Sequence, residues 1–215
     1  DFVAGAWVKL SAYPTGAGMI ISRYNGTSGW QMFVDPSGRL QMSAFNGGAG
    51  NYRFMTTYQS IPLNRWVHVA AQFDMSAYTT TTTTMYMMLD GVDVPVLLGT
   101  AGTNPTVLVQ AGNLEIGANN GGLLPITGKL AQVFVSSAKI TQANVRLLMS
   151  QGLTPALITS NNIISAYSLD NSLTDLNTTS ANNLTANGGV LATTADSPFG
   201  GQADGTISTT VDYGL

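Results

Sequence analysis

Cysteine is absent from this 215-residue sequence, histidine occurs once, as His68, and glutamate once, as Glu115. Without cysteine there is neither a disulfide framework nor a thiolate metal site, and a single histidine leaves zinc without a ligand set. A Ser-His-Asp triad would have to use His68, yet no Gly-x-Ser-x-Gly nucleophile elbow is present; His68 reads as a strand residue held by a hydrogen bond. Charge is scarce too. Asp, Glu, Lys and Arg make up 9% of the chain, against about 25% in an average globular protein. The 8 Lys and Arg are scattered and the formal net charge is −3, so no basic stripe exists for nucleic acid. No apolar run approaches the roughly 18 residues of a membrane-spanning helix.

In place of charge the chain carries Thr, Asn and Gly, and its apolar residues recur with period two, the spacing of half-buried strands. Residues 2–10 alternate and are followed by the breakers Tyr13-Pro14-Thr15-Gly16. Residues 19–24 form the next predicted strand, with a turn at Asn25-Gly26. The stretch "WQMFVDPSGRLQMSAF" reads as a hairpin, since Asp35-Pro36-Ser37-Gly38 has the residues of a type I turn. "MYMMLDGVDVPV" reads as a second hairpin around Asp90-Gly91, which suits a two-residue type I′ turn. Residues 66–73, 114–117 and 129–135 complete the predicted strands. One segment, residues 140–149, has helical spacing with Thr141 as cap and Gly152 just past its end; it is expected as a lid on one edge of the sandwich. The run Thr79 to Thr84 reads as a solvated loop or strand extension. Strands spaced by turn chemistry predict an all-β antiparallel sandwich rather than a βαβ fold.

Taken in order, "AWVKL", "NRWVHVAAQFD", "MYMMLDGV" and "LEIGANNGGLLPITGKLAQVFV", followed by the helix, resemble the concanavalin A-like jelly roll in its laminin G-like and pentraxin-like branch. The resemblance covers about residues 2–150. It implies a jelly-roll body over 1–150, a linker over 151–162, and a segment over 163–215 that looks like the family's opening strands placed last. That segment begins "IISAYSLDNSLTDLN". Three readings of it stay open: a permuted chain whose tail completes the same sandwich beside "KLAQVFV", a piece cut from tandem copies, or a tail that pairs with another subunit. A separate folded module is disfavoured because the segment has few large apolar side chains.

Glycosidases on this fold need two flanking carboxylates, and Glu115 has no acidic partner at i+2 or i+4. The chain is therefore expected to be non-enzymatic. What the fold invites is glycan binding, through aromatic faces and amides at the sandwich rim: Tyr24, Trp30, Asn51, Tyr52, Arg53, Asn119 and Asn120, with Asn25 and Asn46 as neighbours. Hard cations want several oxygen ligands, and Asp170, Asn171, Asp175 and Asn177 offer them in one loop for calcium; the alternative is a loop of Asx turns that needs no metal. The weakly charged, Thr/Asn/Gly-rich jelly roll resembles bacteriophage tail-fibre and head-decoration modules. The resemblance implies a virion-surface domain binding host glycans, a homo-oligomer among other virion subunits. Alternatives are a purely structural decoration module and a secreted or cell-surface bacterial adhesin or lectin.

Overall fold

The computed structural model of the chain describes residues 2–47, 52–74, 86–101, 112–119, 122–169, 172–179, 182–187, 190–193, 198, 205–208 and 212–214. In chain order the elements are β1 (Phe2–Leu10), β2 (Gly18–Tyr24), β3 (Gly29–Val34), β4 (Arg39–Phe45), β5 (Tyr52–Ser60), β6 (Val67–Phe73), β7 (Tyr86–Leu89), β8 (Val92–Asp93), β9 (Val96–Ala101), β10 (Leu114–Ile116) and β11 (Gly128–Ser136). There follow α1 (Gln142–Gln151), α2 (Pro155–Ser160), β12 (Ile163–Tyr167), β13 (Thr185–Asn187), β14 (Val190–Thr193), β15 (Gly205–Ser208) and β16 (Asp212–Gly214).

These strands form two antiparallel sheets packed face to face as a jelly-roll sandwich. The first sheet has the order β14–β15–β11–β1–β6–β7–β8, with β12 also on β11; the second runs β13–β16–β10–β2–β3–β4–β5–β9. The outer edge of β11 is shared. β15 pairs with Lys129 and Leu130, and β12 pairs with residues Val133 to Ser136.

Period two explains the core. Trp30, Met32 and Val34 on β3 face Met42 and Leu40 on β4, and all are buried between the sheets with Val8, Val69 and Val133 from the first sheet. The hairpin turns behave as their residues dictate. Gly38 donates its N–H to the Asp35 carbonyl at 2.9 Å, and Asp35 Oδ1 accepts from the N–H groups of Ser37 and Arg39. Asp90 and Gly91 both have positive φ, 50° and 72°, as a type I′ turn requires.

The helix predicted over 140–149 is α1, with Thr141 accepting from the Asn144 N–H and Gly152 closing its end. It does not cap an edge. Val145 and Leu148 pack with Val3, Ala70, Met88 and Phe134 on the outer face of the first sheet, and Ile158 of α2 joins them. That third layer explains why β6 is buried along its whole length rather than alternating. Polar groups of the sheet fasten the layer. Gln72 Oε1 accepts from Ile140 N–H, Tyr86 donates its hydroxyl to the Ile140 carbonyl, and Lys139 pairs with buried Asp74 at 2.7 Å. Gln132 sits at a β-bulge with φ 49°, and its Oε1 accepts from the Leu153 N–H. The sequence reading contains neither β5, β9 nor α2; α2 lies within the stretch expected as a linker. The threonine run 79–84 falls outside the described residues.

Candidate functional site

Cross-strand pairing turns scattered residues into rows, because directly opposed residues share a face. One row runs Leu114, Arg23, Trp30, Ala44 and Arg53 across β10, β2, β3, β4 and β5. It faces inward. The next row, Tyr24, Gly29, Phe45 and Tyr52, faces outward. Both rows lie at the end of the second sheet that carries the β2–β3 and β4–β5 turns.

The inward row floors a cavity of about 250 Å³. Arg23, Trp30, Asn113 and Leu114 form its wall on the second sheet; Val135, Ile164, Ser165 and Asn182 close it from the side of β11 and β12. Trp30 is 1% exposed, and its ring lies 4.7 Å from Phe2, so it shapes the floor while belonging to the core. Arg23 Nε donates a long hydrogen bond, 3.4 Å, to the Gly112 carbonyl. Gly29 has φ 127°, and a Cβ there would fall 1.9 Å from the Arg23 carbonyl oxygen, so the turn beside the cavity admits only glycine.

Asn182 is held through both of its backbone polar groups, and the segment after it is held as well. Its carbonyl accepts from the Tyr167 hydroxyl at 2.7 Å, its N–H donates to Asp175 Oδ2 at 3.2 Å, and neighbouring Leu184 N–H donates to the Leu173 carbonyl. Burial pushes the Tyr167 hydroxyl well above the usual phenol range, with the nearby Asp175 carboxylate acting in the same direction and a hydrogen bond with Ser165 opposing both. The hydroxyl therefore stays a donor throughout the neutral range.

On this outward face the rings of Tyr24, Phe45 and Tyr52, and of Phe54 two residues further along β5, follow one another at centroid spacings of 4.7, 5.2 and 5.8 Å. All four are half-buried. Tyr24 also donates its hydroxyl to the Gly26 carbonyl at 2.6 Å.

Of the rim residues expected from sequence, Tyr24, Trp30, Tyr52 and Arg53 gather at this end, but on opposite faces of the sheet. Asn25 is spent on an Asx turn, its Oδ1 accepting from Thr27 and Ser28. Asn46 is half-buried in the β4–β5 connection. Asn119 lies at the far end, 5% exposed, in a backbone turn closed by Leu123. Asn51 and Asn120 fall outside the described residues.

In the candidate calcium loop, Asp170 and Asn171 are likewise outside. Asp175 is 3% exposed, and its carboxylate accepts backbone N–H groups from Ala166, Asn177 and Asn182 at 2.9 to 3.2 Å. Asn177 Nδ2 donates to the Ile163 carbonyl, and its Oδ1 accepts from Thr179 N–H. Donor hydrogens crowd the oxygens a cation would need, so these two side chains fit Asx turns and edge sealing rather than a metal. No cluster of three His, Asp or Glu occurs among the described residues. His68 is buried against Trp7 and Phe134, with centroids at 5.3 and 6.4 Å, and burial lowers its pKa to about 3.

The sequence reading missed Arg23, Asn113, Ser165 and Asn182. Nothing local marks them, because the cavity exists only once β12 and residue 182 have folded against the second sheet.

The model of the family described as the concanavalin A-like lectin/glucanases superfamily matches residues 1–146. No curated protein matches the chain. Among solved structures, the CBM40 domain of the Ruminococcus gnavus IT-sialidase bound to α2,3-sialyllactose is similar with a TM-score of 0.52 at 14% identity, over 68% of this chain and 80% of that one. The same domain bound to α2,6-sialyllactose gives 0.50 at 14% identity, over 68% and 82%. The native heptameric SAP-like pentraxin from Limulus polyphemus gives 0.49 at 16%, over 72% of each chain. At these identities the likeness is one of fold.

Proposed function

Because the chain belongs to the concanavalin A-like lectin/glucanases superfamily, we propose that it is a glycan-binding domain whose ligand enters the cavity between Trp30 and Asn182. The observation that carries this is the lining itself. A guanidinium, two amides and a hydroxyl, from Arg23, Asn113, Asn182 and Ser165, surround apolar surface from Leu114, Val135 and Ile164. Sugars present that same mixture of hydroxyls and C–H faces, and few well-placed polar groups over apolar walls are the usual make-up of a small-molecule site. Sialyllactose, the ligand of the Ruminococcus gnavus domain, lends support at the level of ligand class.

The domain is proposed to bind without catalysing. Glycoside hydrolysis needs two carboxylates across the bond, no carboxylate lines this cavity among the described residues, and Asp175, which holds the Asn182 backbone, is committed to backbone N–H groups. The finer assignment, a bacteriophage surface module that oligomerises with other virion subunits, rests on the 9% charge and the neutral polar composition.

A glycan array tests the reading. Asn113→Ala and Asn182→Ala remove side-chain amides from exposed positions, and the backbone bonds of residue 182 survive the change. Reproducible binding that both variants weaken, with unchanged circular dichroism, supports recognition at this cavity. A blank array favours the structural decoration role. Trp30→Ala is the wrong probe, since it empties core volume at a cost of about 3–5 kcal/mol.

A further inference from the structure

A second cavity, of about 300 Å³, opens on the other side of Ile164, the one residue among those described that lines both. Its polar lining is Ser137, Thr159, Asn162, Asn177 and Thr179, with Ile158 and Ile163 beneath. Ser165 faces the first cavity and Ile163 the second. The two residues stand next but one along β12, with a register shift in its pairing to β11 between them.

We infer that the two cavities are subsites of one groove, which takes at least two consecutive rings of a glycan chain and seats the linkage between them over Ile164. This rests on the glycan-binding reading above. Size is the first reason. Ligand pockets typically hold about 300–1,000 Å³, so the first cavity alone falls below that range and the second only reaches its lower end, while the pair lies well inside it. Chemistry is the second. Among the described residues, hydroxyl and amide groups line the second cavity without a charged one, whereas Arg23 stands in the first. The ring in the second subsite is therefore neutral, and any anionic substituent sits on the Arg23 side. Rigidity is the third. β12 is paired to β11 along one side, and Asn177 is fixed on the other by its bond to the Ile163 carbonyl at 2.8 Å. The saddle between the subsites is thus held before any ligand arrives.

The test uses an array of glucose-, galactose-, mannose- and arabinose-based oligosaccharides of one to six rings, followed by calorimetric titration of the best-bound series. Affinity should rise at least tenfold, the equivalent of about 1.4 kcal/mol, between one ring and two or three, and level off beyond. Thr159→Arg, at an exposed position of α2, places a long side chain in the second cavity. It should leave single-ring affinity unchanged and abolish the gain with length. Thr179→Arg, from the opposite wall, provides the same block should the first variant fail to fold. Retention of the gain in a folded blocked variant overturns the inference, as does equal affinity for one ring and three. In both of those cases single-ring binding that Asn113→Ala weakens leaves the glycan reading standing. A blank array removes both.

Discussion

Acidification should destabilise this protein through a single side chain, His68. Its imidazole is buried between Trp7 and Phe134, and its pKa falls to about 3 because burial disfavours the charged ring. An unfolded chain protonates the same ring near 6.5. Between those values the unfolded state binds a proton that the folded state refuses, so stability rises with pH and is complete above about 6.5. Going down from pH 7.5 to 5, the lost stability amounts to about 2 kcal/mol, from 1.36 kcal/mol per pH unit over the window. That range lies above the titration of ordinary carboxylates, which isolates the imidazole. Urea unfolding of the wild type and of His68→Phe at both pH values measures it. The phenyl ring keeps the aromatic packing, and the backbone bond from residue 68 to Asp90 Oδ1 does not depend on the side chain. The variant should show a flatter pH profile by about 2 kcal/mol. Because His68 is the only histidine, its Cε1 proton resonance gives an independent check. It should hold the neutral shift in the native protein down to about pH 4.5. Titration of that resonance near 6.5 in the folded state, or parallel unfolding profiles for the two proteins, would refute the reasoning.

Asp175→Ala strips the acceptor from three backbone N–H groups, so it should cost about 3 kcal/mol in denaturant unfolding, with Asp175→Asn costing less. By the same argument, EDTA should leave the wild-type melting temperature unchanged; a drop of several degrees would show that a cation holds the loop after all. Tyr167→Phe should cost about 1 kcal/mol by removing the donor to the Asn182 carbonyl. It should weaken glycan binding more than its modest stability loss, which titration on the folded variant would reveal.

How far the sequence reached depends on the range of the interactions involved. The turns at Asp35-Pro36-Ser37-Gly38 and Asp90-Gly91 are set by their own residues, so both hairpins were legible, as was α1 between Thr141 and Gly152. α2 was legible in principle, because Thr154 caps it and Pro155 stands in its first turn; its six residues are too short to announce a period. Trp30 carried a readable signal as well. It is in phase with Met32 and Val34, and that alternation assigns it to the core. β5 and β9 gave little warning, since their runs of Thr, Tyr and Gly lack strict alternation. The cavity was not legible at all, because its two walls come from positions well over a hundred residues apart, such as Arg23 and Asn182. Only the pairing of β12 with β11 brings them face to face.

The loop after β12 does more than hold a wall of the cavity in place. Along the side of β12 away from β11, Asp175 takes the Ala166 N–H, Leu176 supplies a donor to the Ala166 carbonyl, and Asn177 supplies another to Ile163. Two of these three contacts come from side chains, so the loop counterfeits a neighbouring strand without carrying a strand's own ladder outward. Another molecule arriving sideways finds no register to copy there. Exposed strands are where β-proteins fuse with one another, and this margin is closed to such fusion by hydrogen bonding instead of by the charge repulsion that the chain, with so few charged residues, can scarcely supply. Copies of the domain could then crowd together at high local density while the cavities that border the same strand stay open.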